Sequence, residues 1–310
     1  MLARLLAISL NTYREAVRAR VLFGLLAVAL ATSAYSLVVA SISLRHEMRV
    51  VADLGAASIS LYAVLVAIVL GATSLYRELE LKTLYPILTR RLRRHEFIVG
   101  KYLGTLATLA VFVMIDGATV LTILTVQSHE RVGLAVGVAL ALVAALVVAL
   151  VVAKRSRTYV VLPWAAVAFG VMCLVASPAG PERQVLLVSM LLTMAEVAII
   201  CAASMLFSAF STPLWSAIFT VGVFLVGRSS DTLAALPERM FGVTISRIAY
   251  GLSKVFPNLN VYVPPRAVML GQVPEVHVWS YIGRGCLNSF LYAALLLAVA
   301  SLAFRKRDLT

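Results

Sequence analysis

Charged residues are scarce in this sequence of 310 residues. Asp, Glu, Lys and Arg make up 13% of the chain, whereas soluble domains usually carry about 25%. Hydrophobic residues account for 62% of the sequence, and the mean hydropathy is +0.97. This composition argues against an ordinary soluble protein and predicts a chain that is embedded in a membrane.

Cysteine and histidine are also rare, and their positions argue against a metal or redox site. Cys173, Cys201 and Cys286 stand alone in apolar runs, without the spacing of metal ligands or redox pairs. The four histidines are scattered near the ends of apolar runs. The sequence VGKY at 99–102 lacks the glycine spacing that holds nucleotide phosphates. Since no nucleophile–base pair or carboxylate pair can be assembled either, we expect no catalysis, metal or cofactor in this chain.

Long apolar runs, in contrast, are abundant. A helix needs about 20 apolar residues to cross the hydrocarbon core of a membrane. We find eight candidate runs, of which the seventh is the shortest: 21–44, 54–76, 102–127, 132–153, 158–179, 185–210, 212–226 and 287–304. They predict an all-α polytopic membrane protein with about eight transmembrane helices, which form a single domain over 1–310.

Basic residues are distributed unevenly between the segments that connect these runs. Segments 1–20, 77–101, 154–157 and 305–310 hold 17 Lys and Arg residues, and the rest of the chain holds 10. Because cytoplasmic loops are enriched in Lys and Arg, we expect both termini on the cytoplasmic side. The net charge of +13 is then mainly a topology signal. No soluble basic surface with interleaved aromatic residues is evident, so we expect no nucleic-acid partner.

Two further segments are too polar to span a membrane. Residues 1–20 place leucines on one helical face and arginines on another, which is typical of a helix that lies in the membrane interface. Region 228–284 is external in the predicted topology. Within it, Pro237 is suited to open a helix over 237–252.

The segment 77–96 is densely charged. Glu78 and Lys82 are four residues apart, in the order that stabilises a helix, and Leu84 and Leu88 continue at helical spacing. Pro86 ends or kinks this helix. The pattern is typical of a short helix, below the membrane, to which a soluble partner binds. A solvated loop that only anchors the topology is the alternative interpretation.

The candidate residues of this segment form two sets. The predicted docking residues are Arg77, Glu78, Glu80, Lys82, Thr83, Leu84 and Leu88. The predicted basic turn at the membrane surface consists of Arg90, Arg91, Arg93, Arg94 and Lys101. Anionic lipids attract such a turn, so membrane lipids are expected partners.

The same segment resembles the cytoplasmic loop of ABC-2-type transporter permeases. The residues that match the loop pattern of this family, in order, are Glu78, Glu80, Lys82, Thr83, Leu88, Arg90, Arg94, Phe97, Gly100 and Lys101. Arg91 stands where the family usually has proline. Weaker similarities to the family follow at 12–22, 205–217, 256–262 and 304–309. The subgroup that this chain resembles most comprises the permeases of gliding motility and of nitrous-oxide-reductase maturation.

The resemblance implies a function for the chain. Such permeases have six spans, form homodimers or heterodimers, and reside in the bacterial cytoplasmic (inner) membrane. Each chain binds a cytoplasmic ATPase, which carries ATP and Mg, through the loop between its second and third spans. The resemblance therefore implies export or mechanical transmission across the membrane, with a periplasmic protein as a further possible partner. Residues 131–180 correspond to an inserted helical hairpin; one span plus an interfacial helix is the alternative there.

Two acids interrupt the predicted spans. Asp116 and Glu196 each stand inside an apolar run, where a carboxylate costs a few kcal/mol or more and normally faces a partner or a bundle interior. Either they line a transport path, or they are packing residues that hold helices together. A rival interpretation of the whole chain is a membrane scaffold or assembly factor that transports nothing.

Overall fold

A computed structural model describes residues 2–43, 46–80, 94–154 and 156–306. In these ranges the regular elements are helices. Thirteen are α-helices: α1 Leu2–Val17, α2 Arg20–Ile42, α3 Glu47–Glu80, α4 Arg94–Gln127, α5 Val132–Val152, α6 Arg157–Val175, α7 Gly180–Ser208, α8 Pro213–Arg228, α9 Ser230–Ala234, α10 Glu238–Phe241, α11 Val243–Val255, α12 Arg266–Met269 and α13 Val278–Lys306. Short 3-10 turns occur at Ser177–Ala179 and Asn260–Tyr262. The prediction of an all-α chain is confirmed for this part of the sequence.

Seven of the described helices are long and apolar enough to cross a membrane, namely α2 to α7 and α13. They correspond to seven of the eight predicted runs and confirm a polytopic membrane protein. The remaining run, 212–226, forms α8, which has only 16 residues. At a rise of about 1.5 Å per residue it is about 24 Å long, shorter than a hydrocarbon core of about 30 Å.

Helices α3, α4 and α7 form the centre of the bundle. In their most apolar windows, 56%, 67% and 72% of the residues are buried, compared with 6% in α5 and 17% in α6. Parallel packing of α3 and α7 is fixed by hydroxyl groups: Ser204 Oγ donates to the carbonyl oxygen of Ile68, and Ser208 Oγ to that of Ala72, both at 3.0 Å. Gly71 permits this close approach, since a Cβ there would lie 2.6 Å from Ser204 Cβ.

The two termini of the described chain lie at one end of this bundle, called here the inner end. At this end Lys101 Nζ, near the start of α4, donates to the carbonyl oxygen of Ser74, near the end of α3. The groove that His95 lines is also lined by Ser301, near the end of α13. The opposite end, called the outer end, carries the starts of α3 and α7. Residues 2 and 306, where the described part of the chain begins and ends, thus lie at the same end of the bundle.

Helix α1 packs along the inner half of α4. A Cβ at Gly104 would lie 2.4 Å from the Ser9 carbonyl oxygen, and one at Gly100 would lie 2.8 Å from Ile8. The buried face of α1 includes Tyr13, whereas Leu6 is 61% exposed. The amphipathic pattern therefore predicted the helix, but part of its apolar face remains available to the membrane.

Residues 131–180 form the two helices α5 and α6 at the edge of the bundle. Both meet the length and apolarity of a span, and α6 continues through Pro163. The indole nitrogen of Trp164 donates to the carbonyl oxygen of Leu142 at 3.0 Å, which joins the two helices. Helix α5 is little buried, whereas α6 contributes Ala165 and Met172 to the buried core.

The external region is made of short helices. The predicted helix over 237–252 is interrupted at Gly242, whose φ is +84°, so that α10 and α11 are separate. Glycine adopts this left-handed conformation without the strain that a side chain imposes. The backbone of Leu259 donates to the carbonyl oxygen of Gly227 at 3.0 Å, and this contact anchors the external region to the end of α8.

Candidate functional site: a cleft with buried ion pairs

A cleft of about 380 Å³ opens between α3, α7, α8 and the external region. Its walls combine apolar residues with two arginines and their polar partners. The polar and aromatic lining residues are Asp53, Ser60, Ser189, Thr193, Phe224, Arg228, Tyr262 and Arg266. The cleft therefore lies where helices of the bundle meet the external region.

A bidentate ion pair forms the floor of this cleft. The Nε and Nη2 atoms of Arg228 lie 2.8 and 2.9 Å from the two carboxylate oxygens of Glu196. Arg228 Nη2 also donates to Ser60 Oγ at 3.1 Å, and Ser60 donates to Glu196 at 3.4 Å. Glu196 is fully buried, whereas the Arg228 side chain is 23% exposed. The guanidinium group of Arg228 thus donates one hydrogen bond to each oxygen of the carboxylate, which is the bidentate geometry typical of arginine.

This ion pair lies in the middle of the bundle. Glu196 is 16 residues after the start of α7 and 12 before its end, or about 24 Å and 18 Å along the axis. Arg228 is the last residue of α8. Helix α8 therefore extends from the inner end only as far as Glu196, and the region predicted to be external follows it along the chain. A charged pair at this depth is rare and is expected to be structural or functional.

A second set of ion pairs closes the outer rim of the cleft. Arg266, in α12, donates to Asp53 of α3 at 2.9 Å and also to Glu182 of α7. Asp53 also lies 3.7 Å from Arg49. Since Arg266 belongs to the external region, its two contacts hold that region against the starts of α3 and α7. Such partly exposed pairs stabilise less than buried ones, but they fix register.

Asp116 belongs to a separate cluster on the other side of α3. Ser33 Oγ donates to Asp116 Oδ1 at 2.9 Å, and Ser33 lies 3.3 Å from Ser58 Oγ. Asp116 is fully buried, and its Oδ2 has no hydrogen-bond partner among the described residues. Asp116 and Glu196 thus do not pair with each other. Asp116 joins α4 to α2, whereas Glu196 joins α7 to α3 and α8; the packing role and the transport role of the two acids both stay predictions.

Tyr262 lines the cleft and connects it to α13. Its hydroxyl donates to the carbonyl oxygen of Gly285 at 3.3 Å. The side-chain nitrogen of Asn288 lies 3.5 Å from this hydroxyl and donates to it. The phenol is thus held between two groups of α13.

Most of the docking segment predicted from the sequence lies outside the described residues. The backbone of Arg77, Glu78 and Glu80 continues α3, and Arg94 starts α4. The remaining docking and basic residues lie outside the described ranges: Lys82, Thr83, Leu84, Leu88, Arg90, Arg91 and Arg93. Their roles stay predictions.

Lys101 is buried in the structure, whereas the prediction assigned it to the basic turn at the membrane surface. Its side chain is 2% exposed, its Nζ donates to Ser74, and it lies 5.4 Å from the centroid of the Phe97 ring. A buried ammonium group requires such partners. Lys101 therefore joins the inner ends of α3 and α4 and is not a surface contact for lipid.

Sequence reasoning missed the two arginines of the cleft. One signal was available for Arg228, because an acid inside a span requires a partner and Arg228 directly follows an apolar run. No comparable signal marked Arg266, which contacts residues that are 213 and 84 positions away. Contacts of such separation depend on the tertiary fold.

Comparisons with known proteins do not assign the chain to a class. No known family matches the sequence, and no characterised protein is significantly similar to it. Within the described residues, no group of three or more His, Cys, Asp or Glu side chains is arranged to hold a metal ion. What the fold defines is a polytopic helical membrane protein with a cleft that contains ion pairs.

Proposed function

We propose that this chain is the membrane subunit of an ATP-driven transporter of the ABC-2 type. It binds a separate cytoplasmic ATPase and transmits the work of hydrolysis through the membrane. The main observation in favour is that α3 ends and α4 begins at the inner end of the bundle, within the predicted docking segment 77–96. These are two of the three most buried helices of the bundle. A partner that binds this segment acts directly on the centre of the molecule.

Helix α3 offers a continuous path from that segment to the cleft. It extends for 34 residues without interruption, from Glu47 to Glu80. Asp53 near its outer start binds Arg266, and Ser60 binds Arg228. A tilt or shift of α3 at its inner end therefore displaces two groups that hold the external region. Such coupling requires a rigid element whose contacts at both ends can adopt two arrangements.

The external region would then act as the outer cap of the transport path. Its contacts with α3 and α7 at the rim include the ion pairs of Arg266 and a hydrogen bond from Gln184 Nε2 to the Met269 carbonyl oxygen at 2.9 Å. Leu259 and Tyr262 of the same region are buried in the core of the bundle. In this proposal the ion pairs at the rim break first, because partly exposed ion pairs cost less to separate than a packed apolar core, and this suits export or transmission of force to a periplasmic protein.

In this proposal the chain functions as a pair with a second permease, identical or related, and both reside in the bacterial cytoplasmic membrane with their termini inside. ATP and Mg belong to the ATPase subunits, so this chain needs no cofactor of its own. The rival proposal, a membrane scaffold or assembly factor, predicts no effect of the chain on ATP hydrolysis.

The first test is capture of the ATPase on the tagged, detergent-solubilised chain. We expect the captured subunit to hydrolyse ATP faster in the presence of the chain than alone. Glu80→Lys and Leu84→Asp should release the ATPase or abolish the stimulation. Arg93→Gln, with a matched amount of protein in the membrane, should have a mild effect, because lipid contacts of a basic turn are diffuse.

The second test probes the path to the cleft. Arg266→Gln removes the rim ion pairs and should change the stimulated rate of ATP hydrolysis while the ATPase still binds. Arg239→Gln is the matched control, because Arg239 is an exposed residue of the same external region without an ion pair in the described part of the chain. If no ATPase is retained, or if the retained one is not stimulated by the wild-type chain, the scaffold interpretation replaces this proposal.

A further inference from the structure

A basic concavity lies where α1 turns into α2. Its volume is about 640 Å³, and it is lined by Asn11, Arg14, Glu15, Arg18, Ala19, Arg20 and Val21. Three of these seven residues are arginines, and Glu15 is the one acid among them. The concavity therefore carries a net positive charge and faces away from the ion pairs of the outer cleft.

The three arginines are available to a ligand. Arg14, Arg18 and Arg20 are exposed. Within the described ranges, none of their guanidinium groups takes part in an ion pair or a side-chain hydrogen bond. This separates them from Arg228 and Arg266, whose donors are occupied by carboxylates. Clustered guanidinium groups with free donors favour a phosphate, which accepts several hydrogen bonds at once.

The level of the cluster suits a lipid headgroup. Arg20 is the first residue of α2, a helix with the length and apolarity of a membrane span. A level at the start of a span is the level of lipid phosphates, and arginines at this position extend toward the interface. A soluble phosphate, in contrast, is expected to bind exposed arginines at any level equally well.

An apolar surface continues from the concavity along α2. Val21 is 51%, Phe23 59% and Val28 50% exposed. Nothing lies within 4 Å of a Cβ placed at Gly24, so a shallow depression remains between these larger side chains. The depression lies on the same helix as Arg20 and begins one residue after it. The arginines at one end match an anionic headgroup, and the exposed apolar surface beyond them matches the acyl chain of an amphiphile.

We propose that this elbow, residues 11–24, binds an anionic phospholipid, with its phosphate headgroup at Arg14, Arg18 and Arg20 and its acyl chain along the apolar face of α2. The site is independent of the ATPase proposal. It places a lipid against the joint between α1, which packs on α4, and α2. Binding there fixes the angle of this joint.

The test uses the full chain in nanodiscs of phosphatidylcholine, with or without a minor fraction of phosphatidylglycerol, and measures amide hydrogen exchange of peptides that cover 11–24. We expect protection of these peptides to increase with phosphatidylglycerol. In Arg14→Gln/Arg18→Gln/Arg20→Gln the increase should disappear. Each arginine is expected to contribute about fivefold to the preference for the anionic lipid, so Arg18→Gln alone should weaken it by that factor.

A matched control removes the same charge elsewhere. Arg239→Gln/Arg247→Gln/Arg284→Gln replaces three other exposed arginines and should retain the protection at the elbow. Three outcomes would overturn the proposal. The first is no dependence on phosphatidylglycerol in the wild type. The second is lipid-dependent protection that stays unchanged in the elbow variants. If these variants lose a bound protein while this protection is unchanged, that result counts as the same outcome. The third is equal protection by inorganic phosphate in pure phosphatidylcholine.

Discussion

The buried pair of Glu196 and Arg228 predicts an asymmetric response to mutation. Arg228→Gln leaves the Glu196 carboxylate, which is fully buried, without its cationic partner. Glu196→Gln leaves an arginine that is 23% exposed and retains access to water. Because removal of one partner of a buried ion pair costs about 3–5 kcal/mol, we expect Arg228→Gln to approach this range. Glu196→Gln should be the milder substitution.

The double variant Glu196→Gln/Arg228→Gln completes the cycle. It leaves two neutral amides that remain within reach of each other and of Ser60, so no charge stays buried without a partner. Replacement of both members of a buried pair is often nearly neutral. We therefore expect the double variant to be more stable than Arg228→Gln alone. Such a coupling separates the interaction of the two side chains from their separate contributions.

The chain contains its own reporter for this measurement. Cys201 is fully buried in α7, and its thiol becomes accessible to a fluorogenic maleimide when the bundle unfolds. Cys286 is exposed and Cys173 is partly exposed, so a Cys173→Ser/Cys286→Ser background removes the signal of the folded state. Thermal unfolding of the four proteins in the same detergent gives the order of stability. Equal midpoints for the wild type and Arg228→Gln would refute a structural role of the ion pair. If Glu196→Gln also leaves transport per assembled complex unchanged, Glu196 does not line the transport path.

Two further predictions concern packing and topology. Gly104→Leu should detach α1 from α4, because a Cβ at position 104 would lie only 2.4 Å from the Ser9 carbonyl oxygen. Protease cleavage within α1 should then increase. The control Gly133→Leu should behave as the wild type, because nothing lies within 4 Å of a Cβ placed there. A cysteine at Ser156 should react with thiol reagents only in opened cells and one at Pro274 also in intact cells; external labelling at Ser156 would contradict the proposed topology.

The membrane helices could be predicted because bilayer thickness limits them directly. The run 132–153 corresponds to α5 at Val132–Val152, and 158–179 corresponds to α6 at Arg157–Val175. In each case a long charge-free stretch is bounded by charged or polar residues, which do not enter the hydrocarbon core. Composition alone is sufficient for such elements, since all their backbone hydrogen bonds are internal to the helix.

The external region could not be predicted in the same way. Its helix over 237–252 divides at Gly242, because a positive φ at one residue is enough to end α10. Periodicity does not reveal such a break, since Met240 and Val243 on either side keep the apolar pattern. The partners of Arg266 were equally hidden, because they come from the starts of two distant helices.

The short helix α8 connects these observations. By composition alone it was a span, and by length it is too short for one. Its last residue, Arg228, binds Glu196 at mid-bundle, and the preceding Gly227 binds the backbone of Leu259 in the external region. We propose that non-helical chain and short helices complete a crossing here, which a membrane interior tolerates only against protein or in a water-filled cavity. A charged pair, an interrupted helix and a cleft with polar lining lie together at this place, and this combination supports the proposed transport path over the scaffold interpretation.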